Sequence, residues 1–163
     1  MVALMNHGVP VKSWILFPLQ GRLFAATAGG GAMVIDEGGD PKRLEIASQD
    51  WCLDEIAGSA NIGAIEEPRR TELRQKLRTL PGLWHPKCAG FLGSEIAAGR
   101  QHFLLHSRCT PWDHAPVDLL CREAGGHSAM LNDGGAFNGS YAAPMMIAPD
   151  RDSWQALYDR VWA

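Results

Sequence analysis

The sequence predicts a layered, mixed α/β fold, with one or more sheets flanked by helices. Three observations carry this reading. Short apolar segments separated by turn residues crowd the chain as far as Thr27. Helical spacing and capping signals begin only at Pro68. From there helices and short strands alternate to the C-terminus, a pattern whose apolar faces are buried by stacking in layers.

The elements follow in order. The apolar run 1–5 is a first strand, turned by Asn6-His7-Gly8 into a second over 11–17, and Gln20-Gly21 leads to a third over 22–27. Short strands joined by tight turns make a β-meander. A first strand with no polar lead-in is unusual for a true N-terminus, which is commonly frayed and polar, so the sequence suggests missing chain ahead of it. Residues 36–40 form a loop and 44–46 a strand, while 54–67 carry no decisive pattern. Leu73, Leu77 and Leu80 predict a helix over 68–80, opened by Pro68 and stopped by Pro81-Gly82. Its Arg69, Arg70, Arg74, Lys76 and Arg78 read as a solvated face rather than a phosphate site. A small-residue helix is expected over 88–98, closed by Gly99, then a strand over 101–106 and a third helix over 113–124, ended by Gly125-Gly126. Strands are expected over 128–131 and 145–148. Asp152-x-x-Gln155 resembles a capping box for a last helix through Trp162. We expect one domain, 1–163, with 1–47 belonging to a first sheet and 48–163 forming an α/β second half.

A chain of 163 residues, 46% hydrophobic and 20% charged, suits one domain with a real core. A net charge of −3 gives no long-range attraction to nucleic acid or an anionic membrane, so neither partner is expected. No leader pattern is visible and no apolar run approaches the roughly 20 residues of a membrane span, which points to the cytoplasm. Cys52, Cys88, Cys109 and Cys121 form no C-x-x-C pair and read as free thiols. A thiol enzyme built on Cys88 or Cys109 with a nearby histidine lacks a nucleophile motif.

The segment 112–126 carries the most chemistry. Asp113 lies at the start of a helix, where a carboxylate can cap free amides or point into a cleft at the positive helix end. W-D-x-A followed by a helix ending in E-A-G-G resembles the C-terminal signature of the inositol monophosphatase family. Ala26-Thr27-Ala28-Gly29-Gly30-Gly31-Ala32 looks like that family's A-x-x-G-x-G-A turn, and Met145-Met146-Ile147-Ala148 before a terminal helix also fits. The resemblance covers essentially the whole chain. It implies that Asp113 ligates a catalytic Mg²⁺ and that the substrate is a small phosphorylated metabolite. It also places Cys88 and Ala89 at a helix start bordering the substrate, and His106 where inositol-binding members often carry glutamate. Taken alone, His106 reads as a surface histidine at a strand end. Pro116 replaces a usual small residue in the helix's first turn, where proline is tolerable.

The family's D-P-x-D-G-T signature and upstream glutamates have no counterpart. Phe17 and Gln20 occupy the aspartate positions of a superficial match over 14–21, and Glu66-Glu67 lies downstream of the glycine turn rather than upstream. Mg²⁺ binds through clustered carboxylates and dehydrates reluctantly, so Asp113 alone is not expected to hold it. The expectation is therefore a fragment of a Mg²⁺-dependent phosphomonoesterase, inactive alone. Inositol phosphate, a nucleotide 3′-phosphate, histidinol phosphate and a sugar phosphate stay open as substrates. The alternative is a non-catalytic, stand-alone binding or assembly domain. An unpaired N-terminal sheet edge would favour homo-oligomers.

Overall fold

The computed structural model describes residues 1–46, 54–84, 88–139 and 143–163. Cys52 and the expected boundary at 47/48 lie outside the described residues. The first sheet is an antiparallel meander of β1 (Val2–Asn6), β2 (Val9–Phe17), β3 (Arg22–Thr27), β4 (Gly31–Asp36) and β5 (Lys42–Leu44), each strand pairing with the next. The second sheet contains β6 (Ala57–Asn61), β7 (Gly82–Trp84), β8 (Phe103–His106), β9 (His127–Met130) and β10 (Met145–Ala148), in the order β7-β6-β8-β10-β9. Strand β6 runs parallel to β7 and β8, and β10 runs antiparallel to β8 and β9. The helices are α1 (Arg69–Leu77), α2 (Ala89–Ala97), α3 (Pro111–Glu123) and α4 (Arg151–Leu157), the last continued by a π-helical turn Tyr158–Trp162.

Alternation along the second sheet fixes the layers, because successive strand side chains point to opposite faces. Leu104, Met145 and Ile147 join one core with Leu92 and Ile96 of α2, Val117 and Leu120 of α3, and Ile15 and Phe24 of the first sheet. Phe103, Leu105 and Met146 face the other way, onto Leu73 and Leu77 of α1 and Trp154 and Leu157 of α4. The order of layers is first sheet, α2 with α3, second sheet, α1 with α4. This is the mixed α/β architecture expected. Helices α2 and α3 cross closely at Gly93, where an added methyl group would collide with the Val117 side chain.

Several boundaries differ from expectation. The meander has a further strand, β4, whose leading glycine hid a segment that pairs with β3 from end to end. Strand β5 falls over Lys42–Leu44 rather than 44–46, and β7 follows immediately on the proline–glycine stop after α1. Helix α3 begins at Pro111, so Asp113 stands inside the first turn and is not the cap. The cap of α4 is Asp150, whose carboxylate accepts the Ser153 amide at 2.7 Å, two residues before the expected Asp152. Among the described residues no helix is long and apolar enough to cross a membrane.

Candidate active site

A cleft of about 510 Å³ opens where the parallel strands β6 and β8 end. Their last residues, Asn61 and His106, are register partners, so the loops leaving both strands rise from one point. The N-terminal ends of α2 and α3 close the opposite side, contributing Cys88 and Ala89 from one and Thr110, Asp113 and His114 from the other. Helix N-termini present unpaired amides and the positive end of the helix dipole, which favours anions.

Asp113 is half-buried, and its Oδ2 accepts the Thr110 hydroxyl at 2.9 Å. The hydroxyl of the residue preceding α3 is thus spent on the carboxylate and caps no amide. The backbone of Thr110 also fixes His114, whose Nδ1 lies 2.9 Å from the Thr110 nitrogen and 3.0 Å from its carbonyl oxygen. Ser107 extends the frame: its amide donates to the Asn61 carbonyl at 2.8 Å and its hydroxyl accepts from the Ala64 amide at 3.1 Å. Arg108 is exposed on the rim and is the one permanent cation among the described lining residues.

His106 departs from the surface role expected of it. It is 7% exposed, because its side chain shares the face of β8 that Leu104 turns toward α3. Its ring packs edge-on against His114 with centroids 4.3 Å apart. Burial, reinforced by the neighbouring His114, pushes the His106 pKa down to about 3. Burial lowers His114 as well, opposed by its bond to Thr110 and by the Asp113 charge. Both imidazoles are therefore neutral at physiological pH.

The four residues expected from the sequence, Asp113, Cys88, Ala89 and His106, all line this cleft. Asn61, Ser107, Arg108, Thr110 and His114 line it too and were not anticipated. The run of polar residues between the end of β8 and Pro111 was the available signal. The other candidates lie elsewhere. Phe17 packs edge-on against Phe24 and Phe91. Glu67 accepts the amide and hydroxyl of Thr71 and pairs with Arg70, which holds its carboxyl below the usual range. Arg69 and Lys76 of the basic helix pair with Glu72. Cys109 and Cys121 are buried free thiols, and burial pushes Cys109 up to about 12, far from a nucleophilic thiolate. Cys88 is free and exposed.

Among the described residues no group of three His, Cys, Asp or Glu side chains could hold a metal ion. A hard divalent cation such as Mg²⁺ requires clustered oxygen ligands. The described cleft offers Asp113 as its only carboxylate, so these residues by themselves do not fit Mg²⁺.

The profile of the inositol monophosphatase family matches residues 1–161. A histidinol-phosphatase of Mycobacterium tuberculosis is 27% identical over 135 residues, covering 81% of this chain and 51% of the relative. An inositol-1-monophosphatase of Rhizobium meliloti is 29% identical over 137 residues, covering 82% of this chain and 50% of the relative. The chain thus spans about half the length of the curated relatives it matches. Among solved structures, an IMPase/NADP phosphatase complexed with Mg²⁺ and phosphate superimposes with a TM-score of 0.79 at 20% identity, covering 99% of this chain and 57% of that one.

Proposed function

The chain belongs to the inositol monophosphatase family, and from that premise we propose that it forms the substrate-facing wall of a Mg²⁺-dependent phosphomonoesterase. The observation that supports this most is the convergence of Asp113, Cys88, Ala89 and His106 on one cleft at the ends of two parallel strands and two helices. Open α/β sheets bind ligands at such carboxyl strand ends. The cleft's size suits a small metabolite, and the α2 and α3 N-termini suit a phosphate group. In this reading Asp113 contributes one anionic metal ligand, oriented by Thr110. Mg²⁺ would supply charge neutralisation at the phosphate when the remaining acidic ligands are present. Inositol phosphate and histidinol phosphate are both candidate esters, and the site of action is the cytoplasm.

The exposed thiol of Cys88 gives a direct test. A phosphate ester seated in the cleft should slow alkylation of Cys88 by iodoacetamide several-fold, followed by mass spectrometry of the modified peptide. Equal rates with and without millimolar inositol 1-phosphate or histidinol phosphate would overturn the assignment of this wall. Purified alone, the chain should release no phosphate from either ester in Mg²⁺. Mg²⁺-stimulated turnover abolished by Asp113→Asn would show that the described half suffices.

A further inference from the structure

The chain from Phe103 to Cys109 is buried at every position except Arg108, which stands exposed on the rim of the cleft. The backbone on both sides of it is pinned. The Ser107 amide donates to the Asn61 carbonyl at 2.8 Å, and the Cys109 amide donates to the Ala143 carbonyl at 2.9 Å. The guanidinium is thus carried by a fixed piece of chain at the mouth of the site. It also lacks what most of its counterparts have. Arg22, Arg43, Arg69, Arg70, Arg100 and Arg122 each pair with a carboxylate within 3.0 Å. Among the described residues no carboxylate pairs with Arg108.

The charges around it decide which ligand groups it favours. Asp113 is the only carboxylate among the described lining residues, and its Oδ2 already accepts the Thr110 hydroxyl at 2.9 Å. In the phosphatase reading that carboxylate is committed to Mg²⁺ as well. The two imidazoles of the cleft add no negative charge. A ligand bearing an ammonium group therefore finds no free carboxylate on this wall and meets the like charge of Arg108, which costs affinity. A ligand bearing a second anion meets a planar guanidinium, whose paired donors match carboxylate and phosphate oxygens. The α2 and α3 N-termini suit the ester phosphate itself. That leaves Arg108 for a different group of the same ligand.

We propose that Arg108 reads a second anionic group, a carboxylate or a further phosphate, on the ester held in this cleft. Doubly acidic esters are then preferred, and amino-bearing ones such as histidinol phosphate disfavoured. The proposal rests on the phosphatase reading, and its test separates the two. Protection of Cys88 from iodoacetamide measures occupancy of the cleft by matched compounds. Glycerol 3-phosphate, 3-phosphoglycerate and phosphoethanolamine present one phosphate alone, with a carboxylate, and with an ammonium group. Glucose 6-phosphate and glucose 1,6-bisphosphate ask the same of a second phosphate. The doubly acidic member of a pair should half-protect at a concentration about two- to fivefold lower, the range of an exposed ion pair. Phosphoethanolamine should need more than glycerol 3-phosphate. Arg108→Met should remove the preference and Arg108→Lys retain part of it, both unfolding as cooperatively as the parent because the side chain is exposed. Equal protection within both pairs, or a preference that survives Arg108→Met, would overturn the proposal and leave the phosphatase reading standing. Succinate protecting as well as 3-phosphoglycerate, and only with Arg108 present, would support the anion-reading role and overturn the phosphatase reading. Protection by none of these compounds would overturn both.

Discussion

Glu123 ties the two sequence motifs of this chain together, and its removal should cost a measurable part of the stability. Its Oε1 accepts the Gly29 amide and its Oε2 the Gly31 amide, both at 2.9 Å, across 94 and 92 residues of sequence. Gly29 and Gly31 hold φ values of 70° and 84°, a conformation that turns their amides toward α3 and that other residues rarely adopt. Hydrogen bonds to a charged acceptor contribute about 1.5–3 kcal/mol each. The Gly29 bond is exposed, so water replaces much of it, whereas the Gly31 bond is partly buried. Glu123→Ala should therefore destabilise by about 2–4 kcal/mol, a large share of the roughly 5–15 kcal/mol of a typical domain. Glu123→Gln keeps one acceptor and turns an amide donor toward the other glycine, so it should lose about 1–2 kcal/mol. Equilibrium urea denaturation measures both. In a chain of this size, about 2–4 °C of melting temperature should accompany each kcal/mol. A Glu123→Ala variant within about 0.5 kcal/mol of the parent, the range of an ordinary surface substitution, would refute the clamp.

Two further outcomes are expected. His106 titrates near 3 when folded, against 6.5 for an exposed imidazole, so the unfolded chain takes up the extra proton. Its contribution to stability is complete above about pH 6.5 and declines as pH falls toward 3, at up to about 1.4 kcal/mol per pH unit. His106→Gln should flatten that slope in urea titrations between pH 7 and 4, and an unchanged slope would exclude His106 as its source. Gly93→Ala should lose about 1–3 kcal/mol by overpacking the α2–α3 crossing. Adding Val117→Ala should recover part of the loss, and a double-mutant cycle with no coupling would contradict the close approach.

Much of this architecture was legible because the patterns that encode it are local. The α3 segment announced itself through Pro111 and the Gly125-Gly126 stop, and the last helix through its apolar face. Where the reading slipped, the deciding contact was distant. Strand β4 begins with a glycine and is made a strand by pairing with β3. Thr110 was passed over because its hydroxyl serves Asp113 rather than the backbone it precedes. His106 was misplaced because a polar residue at a strand end resembles surface until α3 is laid over it, bringing His114 to 4.3 Å. The clamp of Glu123 on the glycine turn was invisible for the same reason: neither motif contains a signal for the other.

The charge pattern of the cleft carries the argument one step beyond its shape. Phosphate requires positive potential, and a divalent cation requires negative. The described wall gathers two helix N-termini, the Arg108 guanidinium and two neutral imidazoles, against the single carboxylate of Asp113. Neutral His106 matters here, since a glutamate at that position would add a second negative charge beside the anion. On the proposed reading, this wall therefore suits a phosphate ester more than a metal ion. In the reading proposed above, the further carboxylates that Mg²⁺ needs would come from outside the described wall.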